Sequence, residues 1–231
     1  MSKDGETGNA SGDLLAVRPL LLALVFFLAI PTVMAGCDVT ITTLPYTIQT
    51  NNTNYCLSGN ITTSGYGIDI PHTGVYYTNN TIDCQGYALK RPSAPAGPPE
   101  YYGIKIEGFH SLNNTIKNCI IEKFYYGIYL KGYPSETRYT TIQNVKTSNN
   151  FGSGVYFYFT SYNTLKDSTV NDDVDLSYGG GMEIYNNRIN KINADHTCTN
   201  YIYNNLFYDY HFYPMYSCIN YWNINKTSGT R

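Results

Sequence analysis

The feature that most constrains this chain is a repeated motif: glycine, an apolar residue, any residue, and a second apolar residue. The five copies are Gly67-Ile68-Asp69-Ile70, Gly103-Ile104-Lys105-Ile106, Gly127-Ile128-Tyr129-Leu130, Gly154-Val155-Tyr156-Phe157 and Gly181-Met182-Glu183-Ile184. Their glycines are 36, 24, 27 and 27 residues apart. Short alternating segments repeated with a period in the twenties, without helical periodicity, are typical of a β-solenoid.

A second motif is interleaved with the first and begins with asparagine or threonine. Its copies are Asn80-Thr81-Ile82-Asp83, Asn114-Thr115-Ile116-Lys117, Thr140-Thr141-Ile142-Gln143 and Asn163-Thr164-Leu165-Lys166. The long first interval coincides with a segment rich in proline, alanine and glycine at residues 91–100, which predicts a protruding loop. With 25 tyrosines and only 14% charged residues, the composition also favours strands over helices. We therefore expect an all-β fold, a parallel β-helix of about seven coils.

Strand alternation predicts which side chains point inward. In a parallel β-helix each strand pairs with the same strand one coil on, about 4.8 Å away. Ile68, Ile70 and their equivalents are then expected to form a stacked apolar column. Turn asparagines can stack in the same way, and four residues are candidates for such a ladder: Asn118, Asn144, Asn187 and Asn205. Ordinary turn positions explain the same asparagines equally well.

The first 35 residues differ from the rest and predict export. An apolar core at Leu20–Ile30 is followed by Val33-Met34-Ala35, which resembles a signal-peptidase site. We expect residues 1–35 to be a signal peptide and residues 36–231 to be the mature β-helix domain, secreted or displayed at the cell surface.

Two alternatives for the leader remain open. Residues 14–35 can instead act as an uncleaved membrane anchor, which would be the only contact with a membrane. Met34-Ala35-Gly36-Cys37 is also similar to a bacterial lipobox, which would place a lipid on Cys37.

All six cysteines lie after the leader: Cys37, Cys56, Cys84, Cys119, Cys198 and Cys218. An even number of cysteines in an exported chain allows disulfides, although six cysteines permit fifteen connectivities. Cys37 and Cys56 are about one coil apart, as are Cys198 and Cys218, so stacking brings each pair within disulfide distance. We predict that both pairs are bonded.

Cys84 and Cys119 are predicted to be free. They are one coil apart once residues 91–100 are discounted, but Cys84 follows Ile82 by two residues and Cys119 follows Ile116 by three. An offset of one residue points two strand side chains to opposite faces. We expect these cysteines to be buried thiols or ladder residues.

Several segments resemble a known group of proteins: NNTIDCQGYAL, YYGIKIEG, NNTIKNCIIEKFYYGIYL and GSGVYFY. They look like the right-handed parallel β-helix repeat proteins of archaeal and bacterial surfaces, including the NosD-like group and pectinase scaffolds. The resemblance covers about residues 37–225 and implies a right-handed solenoid with a cysteine pair closing the first coil, which Cys37 and Cys56 match. It does not imply one activity, because the fold hosts many. The NosD-like group is associated with copper, but the four histidines here are scattered, so copper is not predicted.

Two outward columns of the glycine-motif strands carry candidate ligand-binding residues. One contains Asp69, Lys105, Tyr129, Tyr156 and Glu183; the next contains Glu107, Lys131, Tyr158 and Tyr185. One interpretation is a solvated face stabilised by cross-strand pairs. The other is a carbohydrate-binding face, with rings for stacking and charges for hydroxyl groups. Its candidate residues are Lys105, Tyr129, Lys131, Tyr156, Tyr158, Glu183 and Tyr185.

Catalytic and metal sites are less clearly indicated. Asp69 and Glu107 are close enough to be a carboxylate pair of a glycosidase, but Lys105 and Lys131 are expected to depress the pKa of both. Four further acidic residues form a candidate calcium site: Asp167, Asp172, Asp173 and Asp175. Their spacing matches no calcium motif, so a solvated turn is the simpler explanation, and no cofactor is predicted.

Two other patterns leave both structural and functional explanations open. Ten aromatic residues within 201–222 suggest either aromatic-rich last coils or a cap, or an interface for a partner. Glycosylation motifs of the form Asn-x-Ser/Thr begin at Asn9, Asn51, Asn60, Asn79, Asn113 and Asn225, a number close to chance.

The net charge of −2 gives no indication of nucleic acid as a partner. We expect a non-catalytic surface protein that binds a glycan or another envelope protein. The alternative is a carbohydrate-active enzyme, a polysaccharide lyase or glycoside hydrolase, on the same scaffold.

Overall fold

The structure is a computed structural model that describes residues 36–93, 101–108, 111–132, 137–209, 212–215 and 221–223. The predicted leader at residues 1–35 lies outside the described residues, as does most of the predicted loop at 91–100. All regular elements in the described part are β-strands. Within that part, no helix has the length and apolar character needed to cross a membrane.

The strands form three parallel sheets. The first sheet contains β1 (Val39–Ile41), β3 (Asn54–Leu57), β6 (Thr81–Asp83), β9 (Thr115–Lys117), β13 (Thr141–Gln143), β17 (Thr164–Lys166), β20 (Glu183–Tyr185), β23 (Tyr201–Tyr203) and β26 (Tyr221–Asn223). The second contains β4 (Ile61–Thr62), β7 (Ala88–Lys90), β10 (Ile120–Glu122), β14 (Lys146–Ser148), β18 (Thr169–Val170), β21 (Arg188–Ile189) and β24 (Leu206–Phe207). The third contains β2 (Tyr46–Thr47), β5 (Ile68–Ile70), β8 (Tyr102–Glu107), β11 (Tyr126–Lys131), β12 (Thr137–Arg138), β15 (Ser153–Tyr158), β16 (Thr160–Ser161), β19 (Val174–Gly180), β22 (Ile192–Cys198) and β25 (Phe212–Met215).

Each coil runs through the three sheets in turn, as in β6, β7 and β8, and each strand pairs in parallel with its equivalent one coil on. The predicted parallel β-helix is therefore confirmed. The predicted apolar column is also present: Ile68 lies beside Ile104, which lies beside Ile128, and all three are fully buried. Complete burial of such side chains stabilises the fold by about 1.5–3 kcal/mol each.

The coils shorten towards the C-terminal end, which the repeat spacing did not predict. Coil-equivalent residues are 23 apart at Thr140 and Asn163, but only 18 apart at Met182 and Asn200. Val155 pairs with Val174, so the fifth strand of the glycine-motif series is β19 and not the segment that follows Gly181. The first sheet consequently has nine strands in the described residues, where about seven coils were expected.

Asparagines occupy the corners in two distinct ways. Outward asparagines such as Asn118 and Asn144 adopt positive φ, and the Asn144 amide donates to Asn118 Oδ1 at 2.7 Å. Asn187 is buried instead, and its Nδ2 donates to Asn205 Oδ1 at 3.0 Å. The four predicted ladder residues thus form two separate ladders. In the coil of Asn187 the positive-φ position is occupied by Asn186, and Asn187 is the residue after it.

A further buried ladder, which sequence reasoning missed, lies at the start of the first-sheet strands. Asn80, Asn114, Asn163 and Asn200 each accept a hydrogen bond from a backbone N–H of the preceding coil, at 2.8–3.2 Å. All four are at most 2% exposed. The ladder satisfies corner N–H groups that no strand partner reaches.

The cysteine predictions are partly right. Cys37 and Cys56 are bonded, as predicted, with Cα atoms 5.7 Å apart. Cys198 is disulfide-bonded too, and Cys218 lies outside the described residues. The prediction that Cys84 and Cys119 are free is wrong, because they form a disulfide with Cα atoms 4.8 Å apart.

The error over Cys84 and Cys119 arises from treating a turn as a strand. The paired strands end at Asp83 and Lys117, before either cysteine. Cys84 lies two residues after the buried Ile82 and keeps the inward side of the alternation, whereas Asn118 adopts positive φ and redirects the chain before Cys119. Both cysteine side chains therefore face the buried interior, and alternation fails only at Cys119.

The aromatic C-terminal stretch continues the solenoid where it is described. β25 pairs with β22, and β26 pairs with β23, both in parallel. These residues form further coils, one of the structural alternatives that the sequence left open.

Candidate functional site

The outward face of the third sheet brings together most of the predicted site residues. Strand pairing places one column in the order Asp69, Lys105, Tyr129, Tyr156, Asp175 and Asn193. The adjacent column runs Glu107, Lys131, Tyr158, Ser177 and Asp195. The face has charged groups at one end, tyrosines in the middle, and acids and amides at the other end.

The charged end is an ion-pair chain that joins Asp69, Lys105, Glu107 and Lys131. Lys105 Nζ lies 2.8 Å from Glu107 Oε2 and 3.5 Å from Asp69 Oδ1, and Lys131 binds the other oxygen of Glu107. Burial acts to raise the pKa of Glu107, but the two lysines outweigh it and the pKa is lowered. Glu107 is therefore a carboxylate held by two cations, which suits recognition of hydroxyl groups better than proton donation.

Asp69 behaves differently from the prediction. Burial raises its pKa, and the opposing attraction of Lys105 does not compensate. The expectation that the lysines depress the pKa of both carboxyl groups therefore holds for Glu107 and is wrong for Asp69. The reason is burial, since Asp69 is only 9% exposed.

The middle of the face is a patch of four half-buried tyrosines, here called the tyrosine patch: Tyr126, Tyr129, Tyr156 and Tyr158. The rings of Tyr129 and Tyr156 stack with centroids 5.3 Å apart and planes 15° from parallel. Tyr126 lies 5.0 Å from Tyr129 and 5.1 Å from Tyr156, and Tyr158 lies 5.7 Å from Tyr156. Burial raises the pKa of Tyr126 to about 12.

Glycine is the second residue of β8, β11 and β15, and it allows the backbones of these neighbouring coils to approach. A Cβ on Gly127 would lie 2.5 Å from the carbonyl oxygen of Gly154 in the next coil, and a Cβ on Gly103 would lie 2.6 Å from that of Gly127. No residue with a side chain fits such a contact. The repeated glycine therefore lets the coils approach closely at the edge of the tyrosine patch.

The far end of the face consists of half-buried acids and amides that sequence reasoning did not assign to it. Asp175 accepts hydrogen bonds from Ser153 Oγ and from Asn193 Nδ2, the latter at 2.5 Å. Burial raises the pKa of Asp175. Beside it, Asp173 pairs with Lys191 Nζ at 3.1 Å. Asp175 and Asn193 belong to this face because β19 and β22 continue the sheet without the glycine motif.

Glu183 and Tyr185 were predicted on this face and do not lie there. They belong to β20 of the first sheet, where Glu183 pairs with Thr164 and Tyr185 pairs with Lys166. Tyr185 stacks instead on Tyr203, with centroids 5.0 Å apart and planes 5° from parallel. The physical reason is the shorter coil, which moves the segment after Gly181 to the next sheet.

The four calcium candidates are dispersed. Asp172 accepts a hydrogen bond from Asn150 Nδ2 at 2.7 Å, and Asp167 accepts one from Asn186 Nδ2 at 3.3 Å on another corner. Asp173 and Asp175 lie at the far end of the outward face of the third sheet. Within the described ranges, no group of three or more histidine, cysteine or acidic residues is arranged to hold a metal ion.

Comparison with known proteins identifies the fold family. The stacked parallel strands define a β-solenoid with one charged and aromatic face. Residues 38–207 match the family described as the right-handed β-helix region, so this chain belongs to that family and the predicted handedness is confirmed. No curated protein and no solved structure matches the chain significantly. The family defines the scaffold, and function must be argued from the site.

Proposed function

We propose that this chain is an exported, non-catalytic β-helix protein that binds a glycan on the outward face of the third sheet. The observation that carries the proposal is the tyrosine patch, which lies between the ion-pair chain and the half-buried acids Asp173 and Asp175. Four rings packed at centroid distances of 5.0–5.7 Å offer broad apolar area without large side-chain entropy to lose on binding.

The charged groups beside the patch suit sugar hydroxyls. Lys105 and Lys131 present N–H donors, and Glu107 and Asp175 present oxygen atoms, all held in place by contacts with neighbouring side chains. Such fixed polar groups around an apolar platform are typical of small-molecule and sugar sites. The ion pairs of Lys105 and Lys131 with Glu107 are partly exposed, so they contribute little to the stability of the fold.

Export is supported by the disulfides. Cys37–Cys56 and Cys84–Cys119 each join neighbouring coils, and disulfides of this kind persist in oxidising compartments. The leader predicted from the sequence is consistent with this location.

A glycan array with the purified mature domain tests the proposal. We expect one or more glycans to bind, and Tyr129→Ala with Tyr156→Ala to abolish binding because the central stacked pair is lost. The matched control is Tyr185→Ala with Tyr203→Ala, which removes a similar stacked pair from the first sheet. Loss of binding in both double variants, or no glycan bound at all, contradicts the proposal. In the latter case, binding of an envelope protein to the same face becomes the hypothesis.

One observation favours a carbohydrate-active enzyme as the second candidate. Burial raises the pKa of Asp69 while the lysines lower that of Glu107, and opposite shifts of this kind separate an acid from a base. Against this, Glu107 is bound by two lysines, which reduces its basicity. Release of new reducing ends from polysaccharides, abolished by Asp69→Asn and by Glu107→Gln, would replace the binding proposal with this one.

A further inference from the structure

One corner of the solenoid changes its residue type from coil to coil. The corner position that precedes the first-sheet strands has positive φ in successive coils: Asn52, Asn79, Asn113, Tyr139, Tyr162, Gly181 and Thr199. Strand pairing and backbone hydrogen bonds show that these residues are equivalent. Asparagine and glycine adopt this conformation at low cost, whereas a bulky side chain there is a rare and strained choice.

The two tyrosines in this column are exposed as well as strained. Tyr139 is 51% and Tyr162 is 53% exposed, and their rings stack with centroids 5.7 Å apart. The Arg138 guanidinium lies 5.9 Å from the Tyr162 ring centre. Because asparagine fills the same turn in the preceding coils, the turn itself does not require tyrosine. Strain retained with an exposed apolar surface points to a function.

The residue before the tyrosines in the column is the first residue of a glycosylation motif, Asn113-Asn114-Thr115. Asn113 is exposed, and its side chain makes no hydrogen bond with the described residues, whereas the Asn79 amide donates to Asn52 Oδ1 at 2.9 Å. Asn114 points inward to the buried ladder. The turn therefore presents the Asn113 amide to solvent, while Asn114, the middle residue of the motif, is directed into the interior.

Asn113 and Tyr139 are neighbours along the column. Leu112 pairs with Arg138, and the Asn113 N–H donates to the Arg138 carbonyl oxygen at 3.2 Å. One face of the Tyr139 ring packs on Tyr162. Because Tyr162 lies one coil further on, the opposite face of the ring is the one nearer the coil of Asn113, and neighbouring coils are ~4.8 Å apart. A sugar joined to Asn113 would lie against that exposed face.

We propose that Asn113 carries an N-linked glycan whose first sugar packs on the Tyr139 ring. In the transfer step, a bond forms between the Asn113 amide nitrogen and the anomeric carbon of a lipid-pyrophosphate-linked oligosaccharide. The bond from that carbon to the phosphate oxygen breaks, the lipid pyrophosphate leaves, and the amide nitrogen loses one proton. The packed sugar covers apolar surface that is otherwise exposed. This inference rests on the export part of the proposed function.

The first test measures occupancy of Asn113. The full chain is produced in a eukaryotic secretory host in two forms, with its own leader alone and with a strong secretion signal fused before it. Peptide mapping after amidase release is expected to find a glycan on Asn113, and Thr115→Ala is expected to remove it. An unmodified Asn113 in the signal-fused chain overturns the inference. Failure to secrete the chain with its own leader contradicts export instead, so the two failures are distinguishable.

The second test measures packing of the sugar on the ring. Enzymatic removal of the glycan is expected to lower the melting temperature by about 2–4 °C in the wild type and to have no effect in Tyr139→Ala. Tyr185→Ala, a tyrosine on another sheet, is the matched control and is expected to keep the wild-type response. An equal response in all three proteins overturns the packing of the sugar on Tyr139.

Discussion

The buried asparagine ladder should stabilise the fold, and Asn114→Leu tests this. Asn114 is 2% exposed; its Oδ1 accepts the Asn80 N–H at 3.0 Å and its Nδ2 donates to the Tyr77 carbonyl oxygen at 3.1 Å. Leucine has a similar size but cannot form either bond. Each buried group left without a partner costs about 1–3 kcal/mol.

Two such groups, partly offset by the apolar gain of leucine, give an expected loss of about 2–4 kcal/mol in the free energy of unfolding. With a urea m-value of about 2 kcal/mol/M, the midpoint of unfolding should fall by about 1–2 M. Urea titration followed by circular dichroism measures the shift, and an unchanged slope shows that stability alone has changed.

The matched control is Asn144→Gly in the exposed ladder. Glycine keeps the positive φ, 50° at this position, and loses only a hydrogen bond at the surface. We expect its free energy of unfolding to stay within about 0.5 kcal/mol of the wild type. If Asn114→Leu shifts the midpoint no more than this control, the buried ladder does not stabilise the fold and the reasoning is refuted.

Three further predictions concern a disulfide, an ion pair and a glycine. Non-reducing peptide mapping should find Cys84 linked to Cys119, and replacing both with serine should cost about 4 kcal/mol for a 35-residue loop in thermal unfolding. Glu107→Gln should lower stability at pH 7, and because the folded pKa of Glu107 is lowered from 4.5, the difference should disappear as the pH falls below 4.5 in a pH series of urea titrations. Gly127→Ala should destabilise the fold by about 1–3 kcal/mol because its Cβ would meet a backbone oxygen, whereas Gly59→Ala has open space and should have little effect in the same assay.

The sequence predicted the β-helix because a parallel solenoid repeats its pattern of buried residues in every coil. The interior columns around Ile68, Ile104 and Ile128 follow directly from alternation. Prediction failed where the coils shortened, since Gly181 carries the same motif in a different sheet. The signal for the correct strand was Val174-Asp175-Leu176, which alternates but lacks the glycine.

The candidate site was predicted in part for the same reason. Tyr129, Tyr156 and Tyr158 were found because they alternate with buried residues. Tyr126 was missed because it is the first residue of its strand and directly precedes Gly127. At a strand end, alternation does not determine to which face of the sheet a side chain points. The pKa of Asp69 depends on burial by neighbouring coils, and a sequence without coordinates does not give that.

The coil-to-coil disulfides have a mechanical consequence. A solenoid pulled by its ends should peel one coil at a time, because the parallel hydrogen bonds of the terminal coil break before those of the next are loaded. The bridges Cys37–Cys56 and Cys84–Cys119 tie neighbouring coils and should arrest peeling from the N-terminal side. We expect single-molecule pulling to give stepwise extension that lengthens under reducing conditions. If the extension does not change on reduction, the disulfides do not arrest the peeling of coils.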